Sequence, residues 1–348
     1  MYDLVIVGAG PAGSNLARLI KDKKVLILER RDFSKVDGKS CGGLLNEDTK
    51  LFLSRLGISI PKEVVKAPQT QILKAYDMDN SLLASYRKDY LNIDRFEFDK
   101  YMLGLVGDNV EVKRASFQDA RYSSRGLVVS YLEDGEEKEV ECKILVGADG
   151  GASKVRKEVF PEKKFSRRYL AVQYDFEKIE DVPYMGAVFS KELTDYYSWF
   201  IPKDESIIIG GAFPEGSNVK SKMELLTLML RARGLVFGEK VSSSGAILIR
   251  PSVRSDLFGG ESSIALVGES AGLISPSSSE GISFALKSST ALAKAISNNE
   301  NFFFEAYGKF LNKEWRRIFL KGLKGNLIYS KGLRGAFMKT GLLKIEGI

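Results

Sequence analysis

Histidine is absent from this 348-residue chain. Its absence excludes a Ser-His-Asp triad, a Cys-His pair, histidine-ligated metals and a histidyl-linked prosthetic group. Acid–base work falls to Cys, Tyr, Lys, Asp, Glu or water. Cysteine is scarce as well. Cys41 and Cys142 are the only two, and they form no metal-ligand spacing. A reducing cytoplasm is the expected compartment. No stretch is apolar for long enough to span a bilayer. The N-terminus already reads as a strand, so no signal peptide is expected. There is no internal repeat and no low-complexity stretch. The length suggests two or so domains with a sizeable core.

The net charge of +7 is unevenly placed. Between Lys309 and Lys344 ten basic residues stand against one acid, Glu314, so the remainder is close to neutral. No nucleic-acid motif accompanies the basic tail, and no nucleic-acid partner is expected. A membrane surface or an acidic electron-donor protein fits it better. Phe310, Leu311, Trp315, Ile318, Phe319 and Leu323 recur there at helical spacing. Gly322, Gly325, Gly332, Gly335 and Gly341 predict short helices rather than one long one. The plainer alternative is a terminal helix that caps a domain and keeps its lysines in water.

Three glycine-rich segments carry the chemistry. Tyr2 to Val7 is a β-branched apolar run, as expected of a buried parallel strand. Gly8-Ala9-Gly10-Pro11-Ala12-Gly13 follows it. Gly8 permits the tight turn, Gly10 lets backbone approach a pyrophosphate, and Gly13 lets helix and strand pack closely. The helix from about Pro11 to Ile20 aims its positive end at the phosphates. A second strand, Lys24 to Leu28, ends at Glu29, placed to accept hydrogen bonds from ribose hydroxyls, with Arg30 beside it. Gly147-Ala148-Asp149-Gly150 puts an acid at another strand end. Asp149 faces either a ribityl–pyrophosphate region or its own helix as an N-cap. Gly268-Glu269-Ser270-Ala271-Gly272 repeats the small-residue pattern, and a helix of about Gly281–Ser297 is expected to stabilise a reduced flavin. Together the segments read as one FAD site.

These residues resemble the FAD enzymes of the para-hydroxybenzoate hydroxylase superfamily, and within it the geranylgeranyl reductase family. The resemblance covers roughly residues 1–297. Lys39-Ser40-Cys41-Gly42-Gly43 is similar to the reductase KxCGG segment beside the flavin. Arg95 matches an FAD-contacting arginine. Pro276 to Ile282 looks like the PxxGEGI loop, with Gly281 and Ile282 in register, and Ala285, Ser288 and Ala291 continue it. Tyr197-Ser198-Trp199-Phe200-Ile201-Pro202 resembles the YxWxFP signature of the isoprenoid cavity. Leu44, Glu269, Ser279 and Ile201 depart from the family pattern. Trp199 to Pro202 also fits half of the WxWxIP pattern of flavin halogenases, whose glycine-segment lysine is replaced here by Cys41-Gly42-Gly43.

The resemblance implies an α/β fold: a Rossmann-like FAD-binding domain with an inserted antiparallel-sheet substrate domain and a short C-terminal helical tail. The expected boundaries are 1–68, 91–165 and 246–298 for the FAD domain, 69–90 and 166–245 for the substrate domain, and 299–348 for the basic tail. It implies FAD-dependent reduction of a C=C bond in an apolar or lipid substrate; the cysteine usage and the basic tail together place the protein in the cytoplasm, peripheral to the inner face of the membrane. Cys41, Tyr197 and Trp199 are the candidate catalytic residues. Packing readings stand beside them: Cys41 as a small buried hydrophobe, Tyr197 and Trp199 as one core-facing strand surface, and Arg95 as a helix-start residue. An aromatic monooxygenase and a non-catalytic flavin carrier remain as alternatives. No metal is expected.

Overall fold

The computed structural model describes residues 1–35, 41–298 and 303–341. Contacts divide the chain into two units, each discontinuous in sequence. The first comprises Met1–Asp37, Phe96–Arg167 and Ile249–Gly322. The second comprises Gly38–Arg95, Arg168–Leu248 and Leu323–Ile348. Residues 41–68 thus group with the second unit, and the described part of the tail divides between the two.

The first unit is built on an eight-stranded sheet. Tyr2–Val7 lies parallel to Val25–Glu29 on one side and to Glu136–Gly147 on the other. Val110–Arg114 and Ile264–Leu266 extend the parallel run at either end. The first two strands are buried along most of their length, which is why they read as continuous apolar runs rather than alternating ones. The helices Pro11–Leu19 and Ile282–Asn298 pack in this unit. Asn15 joins them, donating from its amide to Ser289 Oγ at 2.8 Å. This is a Rossmann-type arrangement, in an α/β fold with mixed sheets and a helical C-terminal region.

The second unit is built on a seven-stranded sheet: Lys240–Ile249, Arg168–Glu177, Ser206–Pro214, Ser198–Pro202, Met185–Phe189, Ile72–Asp77 and Leu82–Arg87. Neighbours run antiparallel through its centre, but Met185–Phe189 and Ile72–Asp77 pair in parallel. The helix Val219–Ala232 supplies Met223, Leu226 and Leu230 to one face, against Phe200, Ile207, Ile209 and Phe213. The other face carries Tyr197, Trp199, Ile201 and Gln173.

The expectation of short tail helices is overturned. Phe303–Tyr329 is a single 27-residue helix that runs through Gly308, Gly322 and Gly325, and Lys331–Lys339 follows it. Each interior glycine costs about 1 kcal/mol against alanine. Burying Phe303, Tyr307, Leu311 and Ile318 in the first unit's core outweighs that, at about 1.5–3 kcal/mol per side chain.

Candidate functional site

In the first unit the three glycine segments meet. Gly8 has φ +103°, and a Cβ on it would lie 2.7 Å from Ala148 O. A Cβ on Gly13 would lie 1.9 Å from Gly8 O. These two glycines are therefore required by the protein itself. Gly10 differs: a Cβ there meets nothing within 4 Å. The space over Gly10 is open and lies at a helix N-terminus with no side-chain cap and no acid in its first turn, an arrangement suited to a phosphate. Glu29 is buried, and its Oε2 accepts from the Ala9 amide at 2.7 Å. Its Oε1 accepts from the Arg31 amide at 2.8 Å. Arg30 is exposed. Its neighbour Arg31 instead pairs with Glu29 at 3.1 Å and with Asp99 at 2.8 Å. Burial pulls the Arg31 guanidinium down, but the two carboxylates outweigh it and hold it above the ordinary value.

The middle and late segments are tied to each other. Ser270 Oγ donates to Gly147 O at 2.7 Å. A Cβ on Gly268 would come within 3.2 Å of Ala12 Cβ, so the late segment also rests on the first. Arg156, almost fully buried, donates from Nη1 to Ser270 O and Asp256 O, both at 3.0 Å. Burial pushes its pKa down to about 10. Gly272 has φ +83° and packs on Asp256 O, where a Cβ would sit 2.2 Å away. The Asp149 carboxylate accepts from Ser153 Oγ and the Lys154 amide, each at 2.6 Å, at the start of the helix Lys154–Val159. Burial pushes its carboxyl up, against these donors. Glu269 Oε1 accepts from the Ile249 amide at 3.2 Å. Pro276 O accepts from Arg250 Nε at 3.1 Å. Gly281 precedes the helix Ile282–Asn298, where Glu280 accepts from the Ser283 amide at 2.8 Å.

The second unit brings together the other two sequence signatures. Lys39 and Ser40 lie outside the described residues. Cys41 Sγ is 3.4 Å from Arg95 Nη1, which donates to it. Gly42 packs against the strand Ser198–Pro202, where a Cβ would lie 2.4 Å from Ile201 Cδ1. Gly43 has φ +63°, and its Cβ would meet Ile93 O at 2.2 Å. Two residues beyond Ile201, Lys203 donates from Nζ to Gly42 O at 2.9 Å, to Ile93 O at 2.8 Å and to Asn92 Oδ1. Burial lowers the pKa of Lys203 to about 8, although the neighbouring Cys41 and Asp94 pull it upward. Tyr197 and Trp199 have ring centroids 5.6 Å apart. Gly210 pairs with both Gln173 and Trp199, and a Cβ on it would strike the indole at 2.8 Å. Among the described residues, Gln173 Oε1 and Trp199 Nε1 are buried without a hydrogen-bond partner.

Residues 104–182 match the family described as FAD binding domain. Protein CbrA of Escherichia coli (strain K12) is 34% identical over 349 residues, covering 99% of this chain and 98% of that protein. Protein CbrA of Shigella sonnei (strain Ss046) is 34% identical over the same shares. The chain belongs to the CbrA family. Solved structures share its fold. A geranylgeranyl bacteriochlorophyll reductase-like protein of Thermoplasma acidophilum superposes with a TM-score of 0.83 at 19% identity, over 97% of this chain and 90% of that one. The flavin-dependent brominase Bmp2 gives 0.66 at 19% identity, over 97% and 92%. PqsL of Pseudomonas aeruginosa, a probable FAD-dependent monooxygenase, gives 0.70 at 16% identity, over 97% and 99%. This CbrA-family chain therefore carries an FAD-binding domain, in a fold that it shares with a reductase-like protein, a flavin-dependent brominase and a probable FAD-dependent monooxygenase.

Sequence reading passed over Arg31, Asp99, Arg156, Gln173 and Lys203. Only Lys203 left a signal. It continues the alternation Tyr197, Trp199, Ile201 by one step, past the proline where the signature ends. The contact between Gly42 and Ile201 makes a direct test. Gly42→Ala alone overpacks the pair and is expected to destabilise by about 1–3 kcal/mol. Adding Ile201→Val removes the colliding Cδ1 and restores most of the loss. Urea denaturation of both single variants and the double variant measures the coupling, and simple additivity would show that the two residues do not press on each other.

Proposed function

We propose that this chain is an FAD-dependent reductase of C=C bonds in an apolar, isoprenoid-like substrate, of the geranylgeranyl reductase kind. One observation supports it above the rest. Cys41-Gly42-Gly43 and the strand Ser198–Pro202 stand more than 150 residues apart in sequence, yet they touch through Gly42 and Ile201. The cofactor, when bound and reduced, supplies a hydride to one alkene carbon. The protein supplies the rest. Arg95 and Lys203 orient the cysteine loop, one from the sulfur side and one through the Gly42 carbonyl. Cys41 holds the proton for the second carbon. Tyr197 and Trp199 offer an aromatic wall to an apolar chain. The substrate is an apolar small molecule or lipid, and the location is cytoplasmic, at the inner face of the membrane. No helix of the described residues is long and apolar enough to cross a membrane.

Anaerobic titration tests the reading. The protein is reduced, a polyprenyl or small activated alkene is added, and flavin reoxidation is followed by absorbance. Alkene-dependent reoxidation with a saturated product is the expected result. NADPH consumption in air with a hydroxylated product would instead make the chain a monooxygenase. Cys41→Ser is expected to keep FAD while slowing alkene-dependent reoxidation by about 10- to 10⁴-fold. Unchanged turnover would reduce Cys41 to a packing residue.

A further inference from the structure

The helix Phe303–Tyr329 carries two apolar stripes on opposite sides. The inner one is Phe303, Tyr307, Leu311 and Ile318, all buried. The outer one begins where the inner one ends. Phe319, Leu320, Leu323 and Leu327 are 53%, 64%, 48% and 55% exposed. At about 100° per residue, Arg316, Leu320, Leu323 and Leu327 fall within about 60° of one another, and Ile318 points away from them. The same outer side carries exposed Lys309 and Lys313 in its first half, and Lys324 flanks the leucines. The next helix, Lys331–Lys339, repeats the pattern. Leu333 and Phe337 are exposed between exposed Lys331 and Lys339, while Arg334 and Met338 face inward.

Single exposed apolar side chains are ordinary on a soluble protein, but a contiguous stripe over two helical turns is not. We propose that the outer face of the helix Phe303–Tyr329 docks on an anionic bilayer surface, its leucines and Phe319 entering the acyl boundary and its lysines and Arg316 meeting lipid headgroups. The surface of a helix is convex. It offers no pocket for a partner's side chain, whereas a bilayer receives it without shape complementarity. The charges agree, since each basic group near an anionic membrane raises affinity about fivefold. The inference does not rest on the reductase reading, although it would let an apolar substrate enter without crossing water.

Co-sedimentation of the FAD-loaded protein with vesicles tests it. One set is phosphatidylglycerol with phosphatidylcholine, the other phosphatidylcholine alone, across a salt series. The expected result is binding to the anionic vesicles that weakens as salt rises. Leu320→Ser with Leu323→Ser and Leu327→Ser should cost at least about tenfold in that binding while flavin absorbance and melting stay as in the wild type. Lys313→Gln with Arg316→Gln and Lys324→Gln should cost about 100-fold. Negligible wild-type binding to both vesicle types at low salt would overturn the proposal. So would anionic binding that the leucine variant leaves untouched, since the apolar stripe would then not enter the bilayer. Vesicle binding without alkene turnover would overturn the reductase reading and leave this one standing.

Discussion

Gly10→Val is expected to leave the apoprotein's fold and melting temperature essentially unchanged while lowering FAD affinity at least about 100-fold, the effect of a side chain filling a pyrophosphate site. The backbone at Gly10, with φ −71° and ψ −176°, suits valine as well as glycine. The protein offers a Cβ there no contact within 4 Å. The added Cβ therefore meets no protein atom, and the effect is expected to fall on the ligand. Gly13→Ala makes the contrast. Its Cβ would fall 1.9 Å from Gly8 O, a backbone atom that cannot swing aside. That variant is expected to destabilise the apoprotein by about 3 kcal/mol or more, whatever happens to FAD. Isothermal titration with FAD, paired with thermal melts of the apoproteins, separates the two. A Gly10→Val protein that keeps stoichiometric yellow cofactor would refute the phosphate-loop assignment.

Lys203→Met is expected to retain FAD, to slow alkene-dependent reoxidation by about 100-fold, and to change how stability depends on pH. Three acceptors, Gly42 O, Ile93 O and Asn92 Oδ1, lose their donor together. The loop that carries Cys41 then keeps the Arg95 contact, the packing on Ile201 and the Ile93 amide's donation to Gly43 O at 2.8 Å, but loses the tie at Gly42 O. Asn92 remains fixed by its own donation to Pro202 O at 2.9 Å, so the damage should stay near the loop. The pH sign follows from the lowered pKa. Below about pH 8 the amine is charged in both folded and unfolded chains, and the cost of burying that charge is fully present. Between about 8 and 10.5 the unfolded chain binds a proton that the folded one has released, so stability rises with pH. A shift of this size corresponds to at most about 3 kcal/mol. The stability difference between wild type and Lys203→Met should therefore grow in favour of wild type across that window. Urea melts at several pH values measure it, and a flat difference would mean that burial does not shift the Lys203 amine.

Much of the cofactor side was legible in the sequence because its constraints are local. A φ of +103° at Gly8 and the backbone contact at Gly13 admit almost no other residue, so the requirement appears as a residue type at a fixed spacing. Buried parallel strands likewise announce themselves as unbroken apolar runs, as Val25–Glu29 does. The helix boundary at Pro11 came from the same kind of evidence. Strand and loop signatures around Cys41 and Tyr197 were visible too, but not that they touch.

What only the tertiary structure decided depends on atoms with no side-chain identity or on which side of an element faces the core. Lys203 is held by two carbonyl oxygens and an amide, and carbonyls look alike at every position of a sequence. Arg31, rather than its neighbour Arg30, reaches Asp99 because a strand end sends consecutive side chains to different sides. The tail glycines predicted breaks, yet the helix from Phe303 runs on, because packing of Tyr307, Leu311 and Ile318 outweighs a local propensity of about 1 kcal/mol per glycine. Helical spacing placed Ile318 and Leu323 on one apolar face. The fold buries the first and turns the second outward, since a stripe's period tells which residues stand together but the docking of the helix decides which of them meet water.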